Sequence, residues 1–273
     1  MIQNMAVRKT FISEKLSTAT KMLQLPAEET IVVVPCFNEA SRLPKNKYAE
    51  FMQKTSGFGF LFVNDGSSDN TGELLNKLKA LAPRKIEVLT LERNSGKAEA
   101  VRAGFLEVMT HSKAKFVGFW DADLATPLEL LGDYMKVFEE HKQLEMVWGA
   151  RVKLMGRNIQ RRTHRHYLGR MFATCVSLVL NLKIYDTQCG AKIFRITDTL
   201  KTIFNTPFKS KWIFDVEILA RYLKEKKISQ EQAEQLIYEL PLPEWRDVAG
   251  SKIKPADYLT AFVELINIYL AYR

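Results

Sequence analysis

Five short runs of β-branched and aromatic residues punctuate the first half of the chain: Ile31–Pro35, Phe60–Val63, Ile86–Leu91, Phe116–Trp120 and Met146–Trp148. Most are apolar without alternation, the pattern of strands covered on both faces. Between them, Thr71–Leu81, Ala98–Thr110 and Pro127–Glu140 repeat apolar residues at helical spacing. Strand and helix therefore alternate from Thr30 to about Ala150. That order predicts an α/β fold, a Rossmann-like, mostly parallel sheet with helices on both faces. Ligands of such sheets bind beyond the carboxyl ends of the strands, so chemistry is expected there.

After Ala150 the pattern changes. Arg151–Arg170 is basic and poorly periodic, a loop entering a helix. Tyr167–Leu182 reads as a mostly apolar helix, Ala191–Arg195 as a short strand and Lys211–Leu223 as another helix. Pro255–Arg273 is a last helix rich in Leu, Ile, Phe and Tyr. Ahead of the first strand, Phe11–Leu25 reads as a short amphipathic helix that Pro26 stops. No Gly/Ser/Pro linker divides the chain. One domain over residues 30–255 is expected, with an amphipathic helix inside 1–29 and an apolar, interfacial helix over 256–273. No apolar run reaches the ~18 residues of a membrane span, and Asp257, Glu264 and Asn267 interrupt the last helix. The first ten residues lack the apolar core of a signal peptide. These features predict a cytoplasmic protein, peripheral on the cytoplasmic membrane face.

Composition narrows the partners. A hydrophobic fraction of 47% with 26% charged residues excludes disorder of the whole chain. Forty Lys and Arg against 31 Asp and Glu leave a net charge of +9, which favours nucleic acid, anionic lipid or phosphorylated substrates. A nucleic-acid surface interleaves basic and aromatic residues, whereas arginines here concentrate in one stretch, so no nucleic-acid partner is expected. Cys36, Cys175 and Cys189 show no zinc-ligand spacing and read as reduced thiols.

The strand ends carry the candidate chemistry. Pro35-Cys36-Phe37-Asn38-Glu39 has no glycine-rich turn, which argues against a dinucleotide site. In Asn64-Asp65-Gly66-Ser67-Ser68-Asp69-Asn70-Thr71, Asp69 or Asn70 suits a helix cap, and Asp65 suits a base or ribose. Asn94-Ser95-Gly96-Lys97 is not a P-loop; Lys97 either neutralises a diphosphate or is a solvated helix-start lysine. In Asp121-Ala122-Asp123, residues i and i+2 of an extended segment share a face. Two adjacent carboxylates repel unless a cation lies between them. A hard ion, Mg²⁺ or Mn²⁺, suits oxygen ligands and substrate phosphates. Arg151, Arg157, Arg161, Arg162, Arg165 and Arg170, with His164 and His166, form either a solvated basic face or a phosphate clamp.

Together these segments resemble glycosyltransferase family 2, with its GT-A fold, from Thr30 to about Pro255. Asp186–Lys192, Trp212–Glu217 and Gly250-Ser251-Lys252 resemble the dolichyl-phosphate β-glucosyltransferases and, more loosely, the dolichyl-phosphate mannosyltransferases. The resemblance implies inverting transfer of a sugar to a polyprenyl phosphate, with UDP-glucose as the favoured donor and GDP-mannose second. The alternative is a family 2 enzyme with a hydroxyl acceptor in polysaccharide or glycolipid synthesis. It further implies that Pro35, Asn38, Glu39, Asp65, Ser67, Lys97, Asp121 and Ala122 surround the donor nucleotide. Asp121, Asp123 and Gln188 would hold the metal, and Arg151, Arg162 and Arg165 the acceptor phosphate. Asp215 and Asp123 are the implied catalytic carboxylates. A phosphate monoester is mostly a dianion at neutral pH and needs positioning by cations rather than a base. Asp215 is then a base only for a hydroxyl acceptor; otherwise it orients a ligand or an arginine, or is simply a helix-start acid. The chain departs from the glucosyltransferase pattern at Ala98-Glu99-Ala100, where a more glycine-rich loop is usual.

Overall fold

A computed structural model of the protein describes residues 23–160, 163–248 and 255–272, with 163–165 and 255–258 by their backbone alone. The strands are β1 (Thr30–Cys36), β2 (Phe58–Asp65), β3 (Ile86–Leu91), β4 (Phe116–Trp120), β5 (Met146–Ala150), β6 (Asn158–Gln160), β7 (Ala191–Arg195), β8 (Ile237–Pro241) and β9 (Glu244–Arg246). Seven of them form one sheet in the order β3-β2-β1-β4-β7-β5-β8, and β6 and β9 form a small parallel pair. All neighbours in the large sheet are parallel except β7, which runs antiparallel to both β4 and β5.

The helices are α1 (Lys45–Lys54), α2 (Thr71–Leu81), α3 (Lys97–His111), α4 (Leu131–Glu140), α5 (Thr163–Leu180), α6 (Asp198–Asn205), α7 (Phe214–Lys226), α8 (Gln230–Leu236) and α9 (Pro255–Tyr272). Alternation along β1 feeds two cores. Val32 and Val34 pack with Phe60, Phe62, Tyr48, Phe51, Leu75 and Leu131 on one face of the sheet. Ile31 and Val33 pack with Val101, Phe105, Phe204, Leu219, Leu265 and Ile268 on the other. Covering both faces is what permits the continuous apolar strands of the sequence.

The five predicted strands, the strand at Ala191–Arg195 and the α/β alternation are all present. Helices α1, α6 and α8 and strands β6, β8 and β9 were not anticipated. In α1, three lysines leave only Tyr48, Phe51 and Met52 buried, too sparse a stripe to announce a helix. The helix expected at Lys211–Leu223 begins at Phe214 instead, and the one expected at Tyr167–Leu182 spans Thr163–Leu180. Most of the expected helix Phe11–Leu25, and Gly250-Ser251-Lys252, lie outside the described residues. Among the described residues no helix is long and apolar enough to cross a membrane.

Candidate active site

The carboxyl ends of β1, β2 and β4 and the amino end of β7 open on a cavity of about 530 Å³, a size typical of ligand pockets. At its floor lie Asp121, Ala122 and Asp123, directly after β4. Because β7 is antiparallel, Trp120 pairs with Ala191, and the Asp121 N–H donates to the Gly190 carbonyl at 2.9 Å. A Cβ on Gly190 would stand 1.8 Å from Asp121 Oδ2, so the Asp121 carboxylate occupies space that only glycine leaves. Asp123 Oδ2 lies 3.0 Å from Arg42 Nη2, and Oδ1 accepts from the Ala125 N–H at 3.1 Å. Burial, then the neighbouring Asp121 charge, push the Asp123 carboxyl up from its ordinary value, against the pull of Ala125, Arg42 and Lys97.

Lys97 opens α3 with its ammonium 2.5 Å from Asp121 Oδ1. Burial works against its charge, but Asp121, Asp215 and Asp123 outweigh that and hold the ammonium above its ordinary value. Its position comes from Asp65, whose buried carboxylate accepts from the backbone N–H groups of Ser95 at 2.7 Å and Gly96 at 2.8 Å. Such charge-assisted bonds contribute about 1.5–3 kcal/mol each. Gly66, at φ +59°, lets that turn touch the Arg93–Asn94 backbone, where a Cβ would collide at 2.3 Å.

Pro35, Glu39, Asp65, Lys97, Asp121 and Ala122 all line the cavity; Asn38 and Ser67 do not. The Asn38 N–H donates to Ser67 Oγ at 3.0 Å, and Asn38 Oδ1 accepts from the Ser68 N–H at 2.9 Å. These two residues lace the loops after β1 and β2 behind the cavity wall. The Asp69 carboxylate takes the turn role, accepting from the N–H groups of Thr71 and Ala40.

Across the cavity, Arg151 also lines the wall, but its fork is already closed on Asp186. Nε lies 2.6 Å from Oδ2 and Nη2 2.7 Å from Oδ1, with the guanidinium over Trp245. That edge of Arg151 is not free for a phosphate. Arg170 donates to the Tyr185 carbonyl and stacks on its ring, and Arg157 is exposed. Arg162 and the side chain of Arg165 lie outside the described residues. Of the three arginines expected at the acceptor phosphate, Arg151 is the one whose side chain is described, and it stands at the cavity wall paired with Asp186. Gln188 lines the cavity, its N–H donating to Asp186.

Asp215 lines the cavity from the first turn of α7. Its Oδ1 is 2.6 Å from Nζ of Lys192, which is wholly buried on β7. The Lys192 ammonium also donates to the Cys189 carbonyl and lies over the rings of Trp148 and Phe119.

A family profile, Glycosyl transferase family 2, matches residues 31–207, which include the Asp121-Ala122-Asp123 floor, Lys97, Gln188 and Lys192. The chain belongs to that family. This family 2 glycosyltransferase is 32% identical over 280 residues to a dolichyl-phosphate beta-glucosyltransferase of Drosophila melanogaster, covering 94% of this chain and 79% of the relative. With the protein of the same description from Saccharomyces cerevisiae it shares 31% over 261 residues, covering 88% and 74%. Its fold is similar to that of glucosyl-3-phosphoglycerate synthase from Mycobacterium tuberculosis, solved in complex with Mn²⁺, UDP and glucosyl-3-phosphoglycerate. The TM-score is 0.60 at 15% identity, over 90% of this chain and 80% of the other. At that identity the likeness is one of fold, the GT-A type.

Reasoning from sequence gave no role to Arg42, Asp186 or Lys192 of this family 2 glycosyltransferase. Arg42 sits in a loop with no distinguishing pattern. Lys192 did leave a signal, a cation in the interior of the strand Ala191–Arg195, where its neighbours Ala191, Ile193 and Phe194 are apolar. A buried charge that loses its partner costs about 3–5 kcal/mol. Lys192→Met, which strands the Asp215 carboxylate, is expected to lower stability by that order, read as a lower urea midpoint. A midpoint equal to wild type would mean that Asp215 reaches another partner or water.

Proposed function

We propose that this glycosyltransferase moves glucose from UDP-glucose to a polyprenyl phosphate such as dolichyl phosphate, with inversion, in a reaction that depends on Mg²⁺ or Mn²⁺. The observation that carries this reading is the mixed lining of the cavity. Asp121, Asp123, Lys97 and Arg42 share it with Phe172 and Ala173 of α5, Ala261 of α9, and Trp212, Phe214 and Trp245. A phosphate on a hydrocarbon chain matches charged and apolar walls together, and a glycan hydroxyl makes no use of the apolar ones. The names of the relatives at 31–32% identity support the same substrates.

The donor set fits a hard divalent cation. Among the described residues seven carboxylates and four cationic side chains line the cavity, and adjacent carboxylates such as Asp121 and Asp123 repel a diphosphate unless a cation intervenes. Among the described residues no three His, Cys, Asp or Glu side chains stand together as a self-sufficient ion site. Asp121 and Asp123 would hold the ion, with the Gln188 amide oxygen available and substrate phosphates completing the shell. When bound, the ion stabilises charge on the departing nucleoside diphosphate.

The chain's own residues supply the rest. Lys97, braced through Asp65, adds a fixed positive charge where the leaving group gains negative charge. The acceptor dianion attacks without deprotonation. Asp215, with its charge balanced by Lys192, orients the groups at the acceptor side rather than taking a proton. Pro35, Glu39, Asp65 and Ala122 bound the nucleoside. Asn38 and Ser67 act behind them as braces. Arg151 contributes to the acceptor wall as the Asp186 pair.

A membrane surface is the proposed location. Leu259, Val263, Ile266 and Leu270 are exposed at helical spacing on α9, with Tyr167 and Met171 exposed on α5. An apolar helix face of this kind suits the headgroup boundary. The deciding experiment supplies purified protein with radiolabelled UDP-glucose, polyprenyl phosphate and Mg²⁺ or Mn²⁺, beside EDTA and GDP-mannose controls. Label in the lipid from UDP-glucose, abolished by EDTA, is expected. Donor binding without lipid label would overturn the phosphate acceptor and restore the hydroxyl-acceptor alternative, with Asp215 as its base.

A further inference from the structure

The segment that leads into α7 hangs on two glutamates. Five consecutive backbone amides, Lys209 to Ile213, all donate to the carboxylates of Glu217 and Glu264. Glu217 takes the first two, at 3.1 and 2.8 Å. It belongs to α7 itself and is tied there to Arg221 and to the Tyr272 hydroxyl. Glu264 takes the next three at 3.1–3.2 Å and also accepts from Ser210 Oγ at 2.6 Å. Glu264 belongs to α9, 51 residues beyond Ile213 in the chain. The Ile213 N–H also donates to Ser210 Oγ at 2.9 Å, and Ser210 Oγ is itself held by Glu264, so a carboxylate from a separate helix fixes the second half of this turn.

The other side of the same turn is cavity wall: Lys211, Trp212, Ile213, Phe214 and Asp215 all line it. We infer that Glu264 is a positioning residue for sugar transfer, holding Trp212 to Asp215 in the arrangement that receives the acceptor. This rests on the lipid-phosphate reading of the site. Among the described residues Glu264 bonds within Ser210–Ile213, and the groups that follow β1, β2 and β4, with Lys97, are held by other partners. Loss of Glu264 therefore acts on acceptor use and spares donor use. Glu264 is the side chain that links α9, seated on the core through Ala261, Leu265 and Ile268, directly to the Lys211–Ile213 amides.

The test compares wild type, Glu264→Ala and Glu264→Gln. Initial rates are measured with UDP-glucose and polyprenyl phosphate in detergent micelles, each varied separately, alongside amide hydrogen exchange over residues 209–215. Glu264→Ala is expected to raise the acceptor KM tenfold or more, with the donor KM within twofold of wild type and faster exchange at residues 211–213. Glu264→Gln keeps an acceptor oxygen and is expected to recover to within about threefold of wild type. An unchanged acceptor KM in Glu264→Ala, or a loss of kcat alone with both KM values unchanged, overturns the inference and leaves Glu264 a structural residue. Unchanged exchange at residues 211–213 overturns it as well. Wild-type protein that binds donor but labels no lipid overturns the lipid-phosphate reading instead, and the exchange comparison still decides whether Glu264 holds the turn.

Discussion

Asp123→Asn is expected to lower kcat/KM for glucose transfer by roughly 10²- to 10³-fold, because it would weaken the hold on the ion that stabilises charge on the departing diphosphate. The replacement is nearly isosteric, and its Oδ1 can keep the bond from the Ala125 N–H. What it removes is one of two carboxylates at the cavity floor. Stability is expected to move the other way. The Asp123 carboxyl is raised above its ordinary value by burial and by Asp121. A raised carboxyl binds its proton more tightly in the folded than in the unfolded state, so folding stability falls as pH rises from the unfolded value through the folded one. The amide side chain does not titrate and lacks that loss. Thermal melts across the acidic to neutral range, without metal, should show a flatter pH dependence for the variant. Turnover equal to wild type would remove Asp123 from the site.

Gly190→Ala is expected to cost about 10²-fold in kcat, the effect of displacing a catalytic group by an ångström or so. The new Cβ would fall 1.8 Å from Asp121 Oδ2 and 2.2 Å from Cγ, so the carboxylate must turn away. It cannot turn freely, because Lys97 holds Oδ1 at 2.5 Å and the Asp121 N–H is bonded to Gly190 itself. Overpacking of this sort destabilises by about 1–3 kcal/mol. The deciding comparison is activity against urea midpoint. An activity loss far beyond the unfolded fraction marks a misplaced Asp121. A loss that tracks the midpoint would mean that the methyl group merely loosens β7.

The sheet and the cavity floor were legible because both leave local patterns. Continuous apolar runs announce strands covered on two faces, and acids placed directly after such runs announce a site at their ends. Asp65, Asp121 and Asp123, singled out this way, line the cavity. Arg42 and Asp186 were not, because their partners, Asp123 and Arg151, lie 81 and 35 residues away. No periodicity encodes such a pairing. Asn38 and Ser67 were assigned to the donor but brace the loops, since a polar residue beside a site looks the same in sequence whether it faces in or out. Glu264 was read as an interruption of an apolar helix; the five-amide turn it helps to hold is visible only once α9 is packed on α7. The arginine stretch left open a solvated face or a phosphate clamp, and sequence density does not encode the partners that Arg151 and Arg170 take, Asp186 and Tyr185.

The antiparallel β7 also sets an order of assembly. Strands β4 and β5 follow one another in the chain, separated by one helix, yet the sheet keeps them apart and slots β7 between them. β5 is complete at Ala150, and β7 only at Arg195. At ~5–20 residues per second, those 45 residues take roughly 2 to 9 s to synthesise. For that interval β4 has one edge open and β5 both, since β8 is made later still, and direct union of β4 with β5 would shut out the missing strand. The same stretch brings Gly190, which meets Asp121 at once, and Lys192, which meets Asp215 only after α7 has been made.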